Sequence, residues 1–400
     1  MHERPKNRKP GFATRAIHHA QEDNAFLGAL TPPVFMTSTY GFSTVEEGQA
    51  IFRGDAEGYV YGRTRNPTQA LFEARIASLE GAEAGLALAS GMAAISATML
   101  SLLEAGDSVL FNNMLYGNSF ELFARGLPRF GIETAVVDFT DLERVATELK
   151  HRRPKLIFFE TPCNPGLAVV DIAAVAVLAK QVGALIVVDN TFATPLLQRP
   201  LEAGADLVVH SATKYLGGHG DLIAGAIVGP RRLIDEIRRK GLRNLTGATI
   251  APMTSFLLLR GLKTLELRME RHCASALAIA RNLQNHPAVA WVSYPGLEGS
   301  RFYEVARKQM SAFGGLIACE LHGGRGAGVE FMNRLKLARL AVSLGDAETL
   351  VQHPASMTHA TYEPEERVKH GISEGLIRLS IGLESLADIE EDIFTALAEA

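Results

Sequence analysis

One lysine in this 400-residue chain sits where an apolar run empties into hydroxyls and glycines. The stretch is Asp206-Leu-Val-Val-His-Ser-Ala-Thr-Lys-Tyr-Leu-Gly-Gly-His-Gly-Asp221. Leu207 to Val209 reads as a short buried strand, Ser211 and Thr213 offer hydroxyls, and Gly217, Gly218 and Gly220 let backbone pass close to a bound group. A lysine in such a setting can form a Schiff base. Three other features could serve the same group. Asp189 ends the apolar run Leu185 to Val188, Ser90-Gly91-Met92 opens a helix whose free N–H groups suit a phosphate, and Tyr116 offers an aromatic face. Each has a plainer reading, as a turn cap, an N-cap and a half-buried tyrosine. Together they fit pyridoxal phosphate: Lys214 for the imine, Asp189 for the ring nitrogen, Ser90 to Met92 with Ser211 and Thr213 for the phosphate, and Tyr116 for the ring face.

Competing chemistries lack their residues. Gly218-His-Gly-Asp-Leu-Ile223 misses the third glycine of a dinucleotide fingerprint, no Gly-Lys-Ser/Thr pair forms a P-loop, and no GxSxG elbow occurs. His353 and His359 are wrongly spaced for two ligands on one helical face, so no metal site is expected.

The elements that must position these groups follow a strand–helix alternation. Short apolar runs at Val109–Phe111, Ala135–Val137, Leu156–Phe159, Leu185–Val188 and Leu207–Val209 are separated by helical segments such as 142–149 and 172–182. Continuous apolar runs imply strands buried on both faces, hence an α/β fold with a mostly parallel sheet sandwiched by helices. Polar residues at the strand C-termini, Glu160-Thr161, Asp189-Asn190-Thr191 and His210-Ser211, should face the ligand crevice. Three regions are expected: an N-terminal arm over 1–63 with one short helix near 45–52, a large cofactor-binding domain over 64–262, and a smaller C-terminal α/β domain over 263–400. The last would open on a long helix, roughly 264–285, with Arg268, Glu270, Arg271 and His272 on its polar face, and hold strands at 316–321, 340–342 and 377–381.

Composition narrows the class. With 47% hydrophobic and 21% charged residues the chain reads as an ordinary folded protein, and a formal net charge of -4 gives no basic field for nucleic acid. Cys163, Cys273 and Cys319 lack metal-ligand spacing and suggest reduced thiols in the cytoplasm. The basic start, Met1 to Pro10, reads as an exposed arm without a secretory core. Gly85 to Leu103 carries no charge, but its serines and threonine favour a buried helix opening at Ser90 over a membrane span.

The chain resembles the Cys/Met-metabolism family of pyridoxal-phosphate enzymes, and within it the methionine γ-lyases, nearly end to end. The resemblance is carried by Gly11-Phe-Ala-Thr-Arg-Ala-Ile-His-His19, Asn66-Pro-Thr68, Ser78-Leu-Glu-Gly81, Ala87-Leu-Ala-Ser-Gly-Met92, Val187-Val-Asp-Asn-Thr191, Gln198-Arg-Pro-Leu201, Ala205 to Leu216, Ala341-Val-Ser-Leu-Gly-Asp-Ala-Glu348 and His353-Pro-Ala-Ser-Met-Thr-His359. It implies an aspartate-aminotransferase-like fold type I and a homotetramer built from two catalytic dimers. Lys214 is then the cofactor-linked lysine, Asp189 the ring-nitrogen partner, and Gly91, Met92, Ser211 and Thr213 the phosphate site. Tyr61 and Arg63 would reach the phosphate in a neighbouring subunit, and Arg378 with Ser343 the substrate carboxylate. The implied reaction is α,γ-elimination from a sulfur amino acid, giving a 2-oxo acid, ammonia and a thiol. Tyr116 would protonate the departing thiolate, its phenol drawn down by cations such as Arg63. Two positions depart from the methionine γ-lyase pattern: Asn118 stands where those enzymes typically carry cysteine, and Arg243-Asn244-Leu245 where they carry Lys-Asp-Met. Cystathionine, homocysteine or an O-acylhomoserine is therefore the alternative substrate, and γ-replacement the alternative reaction. A non-catalytic cofactor-binding paralogue is a third reading, opposed by the presence of Lys214, Asp189, Tyr116 and Arg378.

Overall fold

The fold is known from a computed structural model, which describes residues 10–21, 25–360 and 362–398. The basic arm expected at the start of the chain lies, except for Pro10, outside the described residues. Twelve strands among the described residues form two sheets. Strands β1 (Ala84–Leu88), β2 (Ser108–Asn112), β3 (Glu133–Val137), β4 (Leu156–Glu160), β5 (Leu185–Asp189), β6 (Leu207–Ser211) and β7 (Gly225–Gly229) make the large one, in the order β1-β7-β6-β5-β4-β2-β3. Its centre from β3 to β6 is parallel, whereas β7 runs antiparallel to both β6 and β1. The chain thus has the α/β, fold type I architecture expected of it.

Alternate residues of the central strands feed two cores. Phe111, Phe158, Val187 and Val209 pack on one face with Ala94, Ile95 and Met99 of the helix Gly91–Leu102. Leu110, Ile157, Phe159, Ile186, Val188 and Val208 pack on the other with Val175 and Ala179 of the helix Ile172–Val182. Each such fully buried side chain contributes about 1.5–3 kcal/mol, and the double burial is why these strands read as unbroken apolar runs.

The edge strand β1 and its neighbour β7 were not expected. The uncharged stretch 85–103 divides into β1 and the helix Gly91–Leu102, because Ser90 turns the chain and caps the helix with its hydroxyl, 3.0 Å from the Ala93 N–H. β7 is bounded by glycines, and a Cβ on Gly225 would lie 2.0 Å from the Ser90 carbonyl oxygen. Only glycine lets this strand pass under the helix start.

The small sheet has the order β10-β11-β12-β9-β8, from β8 (Val289–Ser293), β9 (Leu316–Leu321), β10 (Arg339–Leu340), β11 (Leu350–Gln352) and β12 (Ile377–Ser380). The long helix Leu265–Gln284 runs beside it, but Arg268 and His272 are buried. Their assignment to a polar face is corrected below by what they bind. The arm also differs from expectation. A helix at Phe12–His18 precedes the expected one, observed at Val45–Arg53, and it docks Phe12 and Ala16 into the core while Arg15 donates to the Ser78 carbonyl. Among the described residues no helix is long and apolar enough to cross a membrane, and no group of three His, Cys, Asp or Glu could hold a metal.

Candidate active site

The C-terminal ends of β4, β5 and β6 open into a cavity of about 260 Å³. Its walls include Lys214, Asp189, Tyr116, Ser90, Gly91, Met92, Ser211, Thr213 and Arg378, so residues spread over most of the sequence converge here. The lysine turn is tightly made. The Gly218 amide donates to the Lys214 carbonyl at 2.8 Å, and Gly218 has φ +70. Arg268 fills the space beside it: a Cβ on Gly218 would lie 1.9 Å from the guanidinium, which donates to the Tyr215 and Gly261 carbonyls, both at 2.8 Å. Burial draws Arg268 down to about 10. It is buried because its partners are backbone carbonyls of the lysine turn and of the end of the helix Pro252–Leu262, which no local pattern in its own helix announces.

Lys214 Nζ donates to the Ser343 hydroxyl at 3.1 Å. Burial first, and then Arg378, lowers its pKa, while Asp346 works the other way. A lysine so placed is readily deprotonated, as a nucleophilic amine requires. Asp189 faces the same cavity from the end of β5. Burial pushes its carboxyl up, against the hydroxyl and amide of Thr191, whose N–H is 2.9 Å from Oδ1, and against His210. A protonated ring nitrogen set against this carboxylate would offset its desolvation.

The opposite end suits a phosphate. The helix Gly91–Leu102 begins there, and a Cβ on Gly91 would lie 2.8 Å from the Ser211 Cβ, so the bare glycine keeps the approach to its N–H open. The Thr213 hydroxyl bridges to Ala224, donating to its carbonyl at 3.2 Å and accepting from its amide at 3.0 Å. A deprotonatable lysine, a half-buried carboxylate and a helix N-terminus around one cavity fit pyridoxal phosphate.

Arg378 reaches the cavity from β12. It donates to Asn164 Oδ1 and to the Ser343 carbonyl, both at 2.8 Å, and burial draws it down to about 10. Ser343 therefore touches both the lysine and the arginine. The Asn118 amide donates to the Tyr116 phenol oxygen at 3.1 Å. Within one chain Arg63 does not act on this phenol: burial raises it, with Arg378 opposing. Arg63 instead donates to the Arg243 carbonyl at 2.7 Å and lies 5.8 Å from the Tyr61 ring centroid. Within one chain, Tyr61 and Arg63 line a separate groove with Met36, Ser38 and Ile250.

Sequence reasoning missed Asn164, Glu160 as a cavity acid, and Thr358. Glu160 was visible as a strand-end polar residue. Asn164 follows that strand end by four residues, a position from which the β4 crevice rule could have reached it.

Residues 13–398 match a family described as Cys/Met metabolism PLP-dependent enzyme. The chain is 55% identical over 391 residues to an L-methionine gamma-lyase of Pseudomonas putida, covering 98% of both chains. It is 44% identical over 393 residues to a cystathionine beta-lyase of Coxiella burnetii, covering 98% of this chain and 99% of the other. Among solved structures, the cystathionine gamma synthase of Xanthomonas oryzae pv. oryzae, in complex with aminoacrylate and cysteine, is similar with a TM-score of 0.92, 38% identity and 98% coverage of each chain.

Proposed function

The chain belongs to the Cys/Met metabolism PLP-dependent enzymes, and from that premise we propose that it is a carbon–sulfur lyase catalysing α,γ-elimination of methionine or a close relative. The observation that carries the reading is the meeting of Lys214, Asp189, Tyr116 and Arg378 at one cavity. When bound, pyridoxal phosphate supplies an electron sink for the substrate's Cα. Arg378, steadied by Asn164 and the Ser343 carbonyl, holds the substrate carboxylate. Lys214 would hold the cofactor through its amine and, when free, would take the substrate's Cα proton, with the Ser343 hydroxyl orienting Nζ. Asp189 would keep a proton on the ring nitrogen. Tyr116 gives its proton to the departing sulfur, and Asn118 steadies the phenol oxygen left behind. Tyr61 and Arg63, outside this cavity in their own chain, suit the phosphate of a neighbouring subunit in a homotetramer of two catalytic dimers. The two sheets agree with an arm over 1–63, a cofactor-binding domain over 64–262 and a C-terminal domain over 263–400. Three buried free thiols accord with a cytoplasmic setting.

A second reading, γ-replacement on an O-acylhomoserine, is favoured by one observation: a polar amide, Asn118, stands on the Tyr116 phenol. A side-by-side assay of methionine, homocysteine, cystathionine and O-acetylhomoserine, with and without sulfide, separates the two. 2-Oxobutyrate released from methionine without an added nucleophile is the expected result. Strict dependence on a thiol or sulfide acceptor would overturn the lyase reading in favour of replacement.

A further inference from the structure

Two carboxyl groups, and not one, stand at the ring-nitrogen end of the cavity. β4 and β5 are parallel, with Glu160 directly opposite Asp189 in the register, and both residues line the cavity. Neighbouring strands lie about 4.8 Å apart, so two ionised carboxylates here would repel strongly, as in other carboxylate pairs that share one charge. Their hydrogen bonds divide the roles. Asp189 accepts the Thr191 N–H and faces the cavity. Glu160 Oε1 accepts the backbone N–H of Tyr116 at 2.8 Å.

We propose that Glu160 is a positioning residue that works as a neutral acid, anchoring the backbone of Tyr116 while leaving Asp189 the only negative charge at the ring-nitrogen end. This rests on the lyase reading above for its consequence, though not for its protonation.

Burial pushes the Glu160 carboxyl well up, Asp189 pushes it further, and the amides of Tyr116 and Asn164 only partly oppose them. The groups on which it acts include Tyr116, Cys163 and Tyr362, none of which supplies a positive charge. The cavity cations are otherwise engaged: Arg378 is bonded to Asn164 and Ser343, and Lys214 to the Ser343 hydroxyl. Two consequences follow. A neutral Glu160 leaves the Asp189 charge free to pair with a ring N–H. Its bond to the Tyr116 amide also ties the aromatic platform, at the start of the helix Gly117–Glu121, to the strand beside Asp189.

The test uses Glu160→Gln, which keeps an uncharged group of the same shape, and Glu160→Ala, which removes the anchor. In the apoprotein at neutral pH, the infrared difference between wild type and Glu160→Gln should contain the carbonyl band of a protonated carboxyl. A carboxylate band there would overturn the proposal even if lyase activity stands. In the cofactor-loaded protein, the pH midpoint of the visible spectrum should be the same in wild type and Glu160→Gln, since no charge is lost. A lower midpoint in the variant means that Glu160 is ionised, and the proposal fails. For turnover, Glu160→Gln should lose no more than about fivefold and Glu160→Ala about 100-fold in kcat, the range of a displaced catalytic group. Equal large losses in both variants would overturn the anchoring role. If wild type binds no cofactor at all, the lyase reading fails while the infrared result still decides the protonation of Glu160.

Discussion

The side-chain amide of Asn118 donates to the phenol oxygen of Tyr116 at 3.1 Å. A donor aimed at that oxygen favours the phenolate, so it works against the burial that raises the group. Asn118→Ala should raise the phenol further and slow release of the sulfur group by about fivefold, the worth of one hydrogen bond. Asn118→Cys should shift the ratio of kcat/KM for methionine over cystathionine by at least as much. Steady-state assays on both substrates check this, and an unchanged ratio would remove Asn118 from substrate selection.

Tyr116→Phe deletes the acid itself. General acids contribute about 10²–10⁴-fold, and kcat should fall by that amount while cofactor absorption persists. The phenol pKa is raised, so the proton-bearing form holds across neutral pH and is lost only as pH rises beyond the ordinary tyrosine range. In a kcat profile, wild type should show no limb from this group near neutrality.

Arg378→Lys replaces a forked donor by a point charge. The guanidinium bonds Asn164 and the Ser343 carbonyl at once, and lysine cannot serve both and a substrate carboxylate. KM should rise about 10- to 100-fold, in line with the loss of charged hydrogen bonds, with a smaller fall in kcat. A KM within twofold of wild type would mean that the carboxylate binds elsewhere.

Arg268→Met strips the guanidinium from the carbonyls of Tyr215, in the lysine turn, and of Gly261, which still accepts from Thr264. Each buried acceptor left without a partner costs about 1–3 kcal/mol. Urea unfolding should report a loss of that order for the Tyr215 carbonyl, together with weaker cofactor retention because Lys214 precedes Tyr215.

His272 and His359 are buried, and burial lowers both to about 4 from 6.5. The folded state holds them neutral, so their stabilisation is fully present above pH 6.5 and is lost as pH falls toward about 4. Each is worth on the order of 3 kcal/mol across that window. Urea midpoints measured from neutral to acid pH should drop over this interval, and His272→Gln should flatten part of the drop.

The central strands and their terminal polar residues were legible because double burial writes itself as unbroken apolar runs, as at Leu185 to Val188 before Asp189. Lys214, Asp189, Ser211 and Gly91 could be grouped by the chemistry one cofactor needs. β1 was hidden because Gly85 to Leu88 merges in composition with the helix that follows, and β7 because a five-residue run ends in glycine on both sides. Asn164 and Arg378 meet only through the packing of the small sheet on the large one, a distance in sequence that no local pattern spans. Arg268 and His272 looked like a polar helix face because charge ordinarily marks exposure. Here backbone carbonyls, of Tyr215 and Gly261 for Arg268 and of Ile381 for His272, are the solvent they find.

The lysine turn is held from the far part of the chain, by Arg268 from the helix Leu265–Gln284 and by Ser343 between β10 and β11. A recombinant made by joining the large sheet of one relative to the small sheet of another would therefore inherit a lysine from one parent and its holders from the other. Segments 206–221, 261–272 and 343–346 form a single unit of inheritance, and a crossover that divides them should scatter the lysine even when every strand still folds.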